Sequence, residues 1–419
     1  MDETISDNDA VYALELVRRI CSEVGPGQPA TPQEHERANI LKQELEAHLG
    51  AENVATEEFS LAPDAPLSPL PSVPFMLLAV LLNIATNSLT GIWPWVTSTT
   101  AVAFSILVPV LFILELILNY EVTDIFFPQK KSINLIGTLR KPGTKKVKRL
   151  LILSGHHDSA PENTWLRYLK YGFFFISGTF FIGLITILVK NTILLIGLIL
   201  NSASVIRLGT IGWVLLIYPI LPSIIYAMFF TRGKKNGGNV PGAVDNLSAC
   251  AIAVSMSRFL ARNPEFIPEE TEIRFITFGC EEVGLRGSKR YVARHLDELK
   301  LLDAHALNYE MVAHPEIIIL TSEIHGTVKN SPEMVKSMVA AAQRAGVPYR
   351  LQPAMIGTAS DAGPFSRAGL KATTLNPFKA PQQLVAFYHQ KWDTPDILTV
   401  EPLFNVLKLT LEWVRNGGE

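Results

Sequence analysis

The chain has 419 residues, enough for one large domain or two ordinary ones. Its formal net charge is −2 with no sustained basic patch, which removes nucleic acid from the expected partners. Hydrophobic residues make up 48% and charged residues 18%, apolar for a soluble enzyme, and Cys21, Cys250 and Cys280 lack the spacing of a disulfide framework.

The apolar excess is concentrated. Ala65 to Leu114 carries no charged side chain over fifty residues, and Tyr171 to Phe230 contains only Lys190 and Arg207. Met1-Asp2-Glu3-Thr4 is acidic and the first apolar run arrives late, so no signal peptide is expected.

In chain order, Val11 to Cys21 has helical apolar spacing. Thr31-Pro32-Gln33-Glu34 supplies a hydroxyl N-cap, Pro at the first helical position and Glu at the third, and so starts a helix that Gly50 stops. Val54 to Ser60 alternates like a strand. The stretch 63–128 reads as a membrane insertion. Its spans, Val73–Leu89 and Thr100–Leu118, flank Trp93-Pro94-Trp95, a pairing suited to the bilayer interface. Strands are expected next at Ile133–Leu139 and Arg149–Leu153.

A second insertion, 165–238, holds the span-length segments Tyr171–Val189 and Leu208–Phe230. Between Lys190 and Arg207 the segment Asn191–Ile206 is short for a crossing. If His156 and Asp245 share a metal, both ends of this insertion lie on one side of the bilayer, and the crossings are even in number. Two spans are therefore expected, with Asn191–Ile206 re-entrant, interfacial or extending one of them. Lys130, Lys131, Arg167, Lys170, Arg232, Lys234 and Lys235 flank the spans on the enzyme side, so the positive-inside rule places that side in the cytoplasm.

The remainder alternates. Helices are expected at Val244–Leu260, Ser288–Leu296, Pro332–Ala345 and Val400–Arg415, and strands at Glu272–Phe278, Ala304–Tyr309, Glu316–Leu320, Tyr349–Gln352 and Ala372–Leu375. This is an α/β pattern: a mostly parallel central sheet flanked by helices. Residues 1–62, 129–164 and 239–419 are its three pieces, interrupted by the transmembrane helices.

Two strands open onto metal-ligand chemistry. Leu151 to Asp158 ends in His156-His157-Asp158, and Ile273 to Leu285 contains Glu281-Glu282 at the strand's end. Buried carboxylates are costly unless a cation or proton shares the site, so the adjacent pair suggests one ligand and one acid/base group. On an extended chain Asp158 points the same way as His156 and is placed to orient that imidazole, whereas His157 points oppositely. Asp245 precedes a helix and reads as a ligand or an N-cap; Glu310 closes the Ala304–Tyr309 strand; His389 lies in Phe387-Tyr388-His389-Gln390. Cys280 reads as a small packed hydrophobe.

Four segments in this order resemble the co-catalytic di-zinc aminopeptidase family, which includes bacterial leucyl-type aminopeptidases, glutamate carboxypeptidase and the degenerate transferrin receptors. They are Gly155-His156-His157-Asp158-Ser159, Pro241 to Ser248, Cys280 to Ser288 and Tyr388-His389. The resemblance implies a zinc-dependent exopeptidase fold and two zinc ions. By position, Asp245 would bridge them, His156 and Glu310 would complete one site and Glu282 with His389 the other. Glu281 would be the general base acting on water activated between the metals, and Asp158 would buttress His156. Two departures stand out: Glu310 where many members have Asp, and Ala362 after Asp361 where relatives commonly have His. Tyr388 is either an oxyanion donor or a packed aromatic.

The expected function is a membrane-anchored zinc aminopeptidase acting on peptides. The alternatives are a zinc-dependent amidase or cyclase of non-peptide substrates and a catalytically inactive receptor or scaffold. A transporter would need several polar groups within the spans. No oligomeric state is legible.

Overall fold

The computed structural model describes residues 4–66, 72–229, 231–232, 238–355 and 357–419. Its chain forms two compact units, Met1–Pro63 with Pro128–Glu162 and Gly233–Glu419, and Asp64–Phe127 with Asn163–Arg232.

The first unit is built on a sheet of eight strands: β1 (Val54–Leu61), β2 (Lys130–Arg140), β3 (Arg149–His156), β4 (Thr271–Phe278), β5 (Ala304–Tyr309), β6 (Ile317–Leu320), β7 (Tyr349–Gln352) and β8 (Lys371–Leu375). They lie in the order β1-β2-β4-β3-β5-β8-β6-β7. The centre is parallel: β4 with β3, β3 with β5 and β5 with β8. β1 and β2 add an antiparallel edge, and β8 meets β6 antiparallel.

β4 and β5 are buried along their whole length, as parallel strands covered on both faces must be. Alternate residues of β3 enter opposite cores. Leu151 and Leu153 join the cluster with Val17, Leu41, Ile252 and Leu407 from the helices Asp7–Glu23, Pro32–Leu49, Ser248–Arg262 and Val400–Arg415. Leu150 and Ile152 join the cluster with Tyr291 and Val292 of the helix Arg286–Leu301 and with Phe365. Three strands thus end side by side: His156 pairs with Phe278 in register, and Ser154 with Asn308. The residues just beyond those three carboxyl ends are delivered into one crevice.

One expected helix starts late. The pattern places its start at Val244, but Ala243–Leu247 is a distorted turn in which Asp245 (φ −112°, ψ 87°) and Asn246 (φ −140°, ψ 31°) are not helical, and the Asp245–Asn246 peptide is cis. The helix runs from Ser248 to Arg262. Asp245 is therefore no N-cap.

The second unit holds the helices Val73–Thr86, Trp93–Phe112 (continued by a π turn, Ile113–Ile117), Gly172–Ile199, Ala203–Thr210 and Trp213–Met228. Among the described residues two are long and apolar enough to cross a bilayer: Trp93–Ile117, 25 residues, and Gly172–Ile199, 28 residues. Of the readings open for Asn191–Ile206, residues 191–199 extend the helix that precedes Lys190. The helix passes through it because the Lys190 ammonium donates to the Leu208 and Ile211 carbonyls, both at 2.6 Å, at the end of the short helix Ala203–Thr210. Asn191–Ile199 thus extends one long helix. The other apolar helix starts at Trp93 rather than Thr100, because Pro94 is tolerated in a first turn. Three polar residues inside this unit are paired with one another: Asn83 donates to Asn191 at 2.7 Å, and Asn191 donates to Ser105 at 2.7 Å. They bind helix to helix, as polar groups between apolar helices do.

Candidate metal centre

All seven residues singled out in the sequence meet in the first unit, at the carboxyl ends of β3, β4 and β5. His156 ends β3 and Asp158 comes two residues later; Glu281 and Glu282 lie just past β4; Glu310 lies just past β5; Asp245 sits in the turn before Ser248, and His389 in a loop. His156 Nε2 lies 3.4 Å from Asp245 Oδ1, 3.4 Å from Glu310 Oε1 and 3.6 Å from Glu281 Oε2. His389 Nε2 lies 3.3 Å from Asp245 Oδ2 and 3.2 Å from Glu282 Oε2. Asp245 thus turns one oxygen to each histidine.

The donor set fits metal ions. His156 Nε2 and Glu282 Oε1 are buried without a hydrogen-bond partner. Three groups have ligand atoms mutually within 4.8 Å: His156 with Asp245 and Glu310, Asp245 with Glu282 and His389, and His156 with Glu281 and Glu282. Ligands about 2.1 Å from a tetrahedral ion sit about 3.4 Å apart, the separation seen here. Imidazole and carboxylate together suit zinc.

The electrostatics demand positive charge at this point. Burial alone would lower His389, but Glu282 and Asp245 raise it to about 10. Burial opposes a charged His156 too, and Glu281, Asp158, Asp245 and Glu310 still raise it well above its ordinary value. Burial pushes Asp245 up, yet the two imidazoles hold it below the usual carboxylate range. Burial drives Glu310 up to about 8, and Glu281 well up with help from the neighbouring Glu310 and Glu282 charges. So many carboxylates around two imidazoles stay ionised together only with cations among them.

Asp158 does more than orient an imidazole. Its Oδ1 lies 3.3 Å from His156 Nδ1 and accepts the Glu281 amide at 3.0 Å, while Oδ2 accepts the Glu282 amide at 3.1 Å. His157 points away, as expected, with Nδ1 3.2 Å from Thr277 Oγ1, and burial lowers it to about 3, so it stays neutral. Left-handed backbone marks the site at Cys280 (φ 56°), Met311 (φ 49°) and His389 (φ 50°), each beside or at a candidate ligand. Tyr388 stacks on His389, with ring centroids 3.8 Å apart.

Several contributors escaped sequence reasoning. Asp393 accepts the amides of Val244 and Asp245. Asn246 donates to the Tyr309 carbonyl at 3.0 Å and accepts the Met311 amide at 3.1 Å, fixing the backbone on both sides of Glu310. Glu34, read as a helix-cap residue, is wholly buried and reaches Cys280; burial and the Asp158 charge push it up to about 8. Glu323 is buried and raised to about 7 by burial, against hydrogen bonds from Asn330 and Ser360. The nearness of Asp393 to His389 in sequence was a usable signal; the others gave none. Ala362 belongs to the apolar cluster with Tyr291 and Phe365.

Glu281, Glu310, Glu323, Tyr388 and His389 line one small cavity of about 30 Å³. A second, of about 80 Å³, shares Leu320, Thr358 and Asn376 with it and is walled by Ile318, Met355 and Phe378.

This is an α/β fold like that of zinc aminopeptidase structures, and residues 230–414 match the family model of peptidase family M28, in line with the resemblance read from the sequence. Aminopeptidase YwaD of Bacillus subtilis (strain 168) is 30% identical over 176 residues, which are 42% of this chain and 34% of that protein, so the match spans about a third of the relative's length. A zinc aminopeptidase structure from Bacillus subtilis superposes with a TM-score of 0.57 at 16% identity, covering 99% of this chain and 96% of that one. A glutaminyl cyclase from an Acidobacteriales bacterium gives 0.56 at 11%, covering 100% and 97%. An aminopeptidase from Aneurinibacillus sp. strain AM-1 gives 0.52 at 15%, covering 97% and 95%. At these identities the structures bear on the fold alone.

Proposed function

We propose that this chain is a membrane-anchored di-zinc metallopeptidase that removes residues from the amino end of peptides. The observation that carries the reading is the two-sided Asp245 carboxylate: one oxygen faces His156, which Glu310 also approaches, and the other faces His389, which Glu282 also approaches. His156, Asp245 and Glu310 would hold one zinc, and Asp245, Glu282 and His389 the second. When bound, the ions would polarise a scissile carbonyl and acidify water.

Glu281 is the general base. Its carboxylate, aimed into the crevice and raised by burial, accepts a proton from the attacking water and returns it to the leaving amine. Burial and the surrounding carboxylates keep the Tyr388 phenol protonated, so it is a donor for the developing oxyanion. Among the described residues lining the metal-centre cavity none is Lys or Arg. A substrate carboxylate would find no counter-charge there, which favours the amino end over the carboxyl end.

The long apolar helices support an anchor. Phe175, Ile185, Ile199 and Leu200 are largely exposed on Gly172–Ile199 and its end, and an exposed apolar surface of this extent suits lipid. The flanking Lys and Arg residues favour a cytoplasmic catalytic unit. A reporter fused after Glu419 should be active inside the cell; glycosylation there would reverse the orientation and leave the chemistry untouched.

The deciding experiment is purification of the full chain in detergent, zinc analysis and a panel of free-amine, N-acetylated and glutaminyl peptides. Two zinc ions per chain are expected, with release of N-terminal residues from free-amine peptides and none from N-acetylated ones. Cyclisation of glutaminyl peptides without hydrolysis would install the cyclase reading. A zinc-free, inert chain would install the scaffold.

A further inference from the structure

Four successive backbone amides at the end of β4 are each accepted by a buried side chain from elsewhere in the chain. Gly279 N–H donates to Asn134 Oδ1 at 3.3 Å, Cys280 N–H to Glu34 Oε1 at 3.0 Å, Glu281 N–H to Asp158 Oδ1 at 3.0 Å and Glu282 N–H to Asp158 Oδ2 at 3.1 Å. Asn134 comes from β2, Asp158 from the loop after β3 and Glu34 from the helix Pro32–Leu49. Helix capping does not account for Glu34: Thr31 Oγ1 accepts the Glu34 amide, but the reciprocal half of a capping box is not made, since the Thr31 amide donates to the Gln28 carbonyl at 3.2 Å, and the Glu34 carboxylate is fully buried. Its donors are neutral: the Cys280 amide, Ser132 Oγ at 3.0 Å, Cys280 Sγ at 3.2 Å and, on the other oxygen, the Ala30 amide at 2.7 Å.

A buried carboxylate held by neutral donors is an expensive way to pack a helix. What it secures is Cys280, whose φ of 56° is left-handed and persists only where the surroundings over-determine it. The approach is close: a Cβ on Gly279 would lie 2.5 Å from Ser132 Oγ, 2.6 Å from the Ile133 carbonyl and 3.0 Å from Glu34 Oε1. Release of the Cys280 amide lets that residue relax to negative φ, which swings the peptide carrying Glu281.

Building on the general-base reading of Glu281, we infer that Glu34 is a positioning residue for it, the N-terminal member of a clamp formed with Asn134 and Asp158. The segment before the first membrane insertion, outside the stretch matched by the family model, thereby takes part in aiming the base.

The test uses the full chain in detergent with Glu34→Ala and Glu34→Gln. In Glu34→Ala, amide hydrogen exchange of peptides spanning 278–284 should quicken by about tenfold or more, while Thr271–Phe278 keeps its protection. Zinc content should match the wild type, KM should hold and kcat should fall by about 10–100-fold. Glu34→Gln keeps one acceptor oxygen and should recover much of both readouts; it also serves if the alanine variant does not fold. Unchanged exchange at 278–284 in Glu34→Ala overturns the inference, and so does quickening in Glu34→Gln that is spread over the chain rather than local to 278–284. So does a loss of kcat that only tracks lost zinc or a general fall in protection. A wild type that cleaves no peptide would instead overturn the proposed function, and the exchange measurement would still decide on the clamp.

Discussion

Asp393 lies against the backbone of Asp245: its carboxylate accepts the Val244 amide at 2.7 Å and the Asp245 amide at 3.1 Å. The residue proposed to bridge the metals is thus held from its main-chain side by a second, buried carboxylate, in a turn whose own dihedrals are not helical.

Asp393→Asn should therefore weaken metal binding without touching a ligand. An amide has one acceptor oxygen where two amides need accepting, and its NH2 meets a donor. Zinc affinity should fall by about 10–100-fold, the usual effect of removing a group that orients a ligand. Competition with a calibrated chelator measures it; an affinity equal to wild type would show that the turn holds itself.

Glu281→Gln and Glu282→Gln should separate. The first keeps shape but cannot accept a proton, so zinc should stay while kcat drops by about 10²–10⁴-fold. The second removes a charged ligand from the His389 half, so one zinc should bind weakly and added zinc should restore part of the activity. Equal loss of zinc in both variants would refute the division of labour.

Gly155→Ala tests the packing beneath the site. A Cβ there would lie 2.5 Å from Ala249 Cβ and 3.2 Å from the Ala249 carbonyl carbon, where β3 crosses the helix Ser248–Arg262. Helix and strand cannot both keep their places, and a loss of about 1–3 kcal/mol is expected. Thermal unfolding in detergent at matched zinc checks it.

His295 gives a pH dependence remote from the metals. Its Nε2 is 2.6 Å from Glu57 Oε1 on β1 and its Nδ1 3.1 Å from Glu298 Oε2; the hydrogen bond to Glu57 raises His295 above 6.5. Glu57 is itself destabilised as an anion by burial, but His295 and Arg294 hold it below 4.5. The histidine's contribution is full below pH 6.5 and is lost as pH rises through its folded-state value; that of Glu57 is full above pH 4.5 and is lost on acidification. The pair thus stabilises most between pH 4.5 and 6.5. His295→Gln should cost more stability at pH 6 than at pH 9, by on the order of 1 kcal/mol, read from unfolding at the two values. An equal penalty at both values would assign His295 to packing alone.

The sequence by itself determined the strands, the order of the chemistry-bearing segments and the kinds of side chain that meet at the site, because each rests on short-range rules. Val54 to Ser60 reads as a strand from its alternation, and Val54–Leu61 is one; His156 and Asp158 share a side because an extended chain repeats every two residues. Only the tertiary structure decided which backbone groups those ligands lean on. Glu34 fits a cap signature by sequence, yet its carboxylate serves Cys280, 246 residues away. Asp245 fits an N-cap, yet a distorted turn held by Asp393 turns it to two histidines. Asn191–Ile206 has three open readings by sequence, and the Lys190 ammonium on the carbonyls of Leu208 and Ile211 goes with the one in which the helix continues, as far as Ile199. In each case a charged side chain takes partners far along the chain: burial makes an unpaired charge too costly, and only the fold says which donors or acceptors lie within reach.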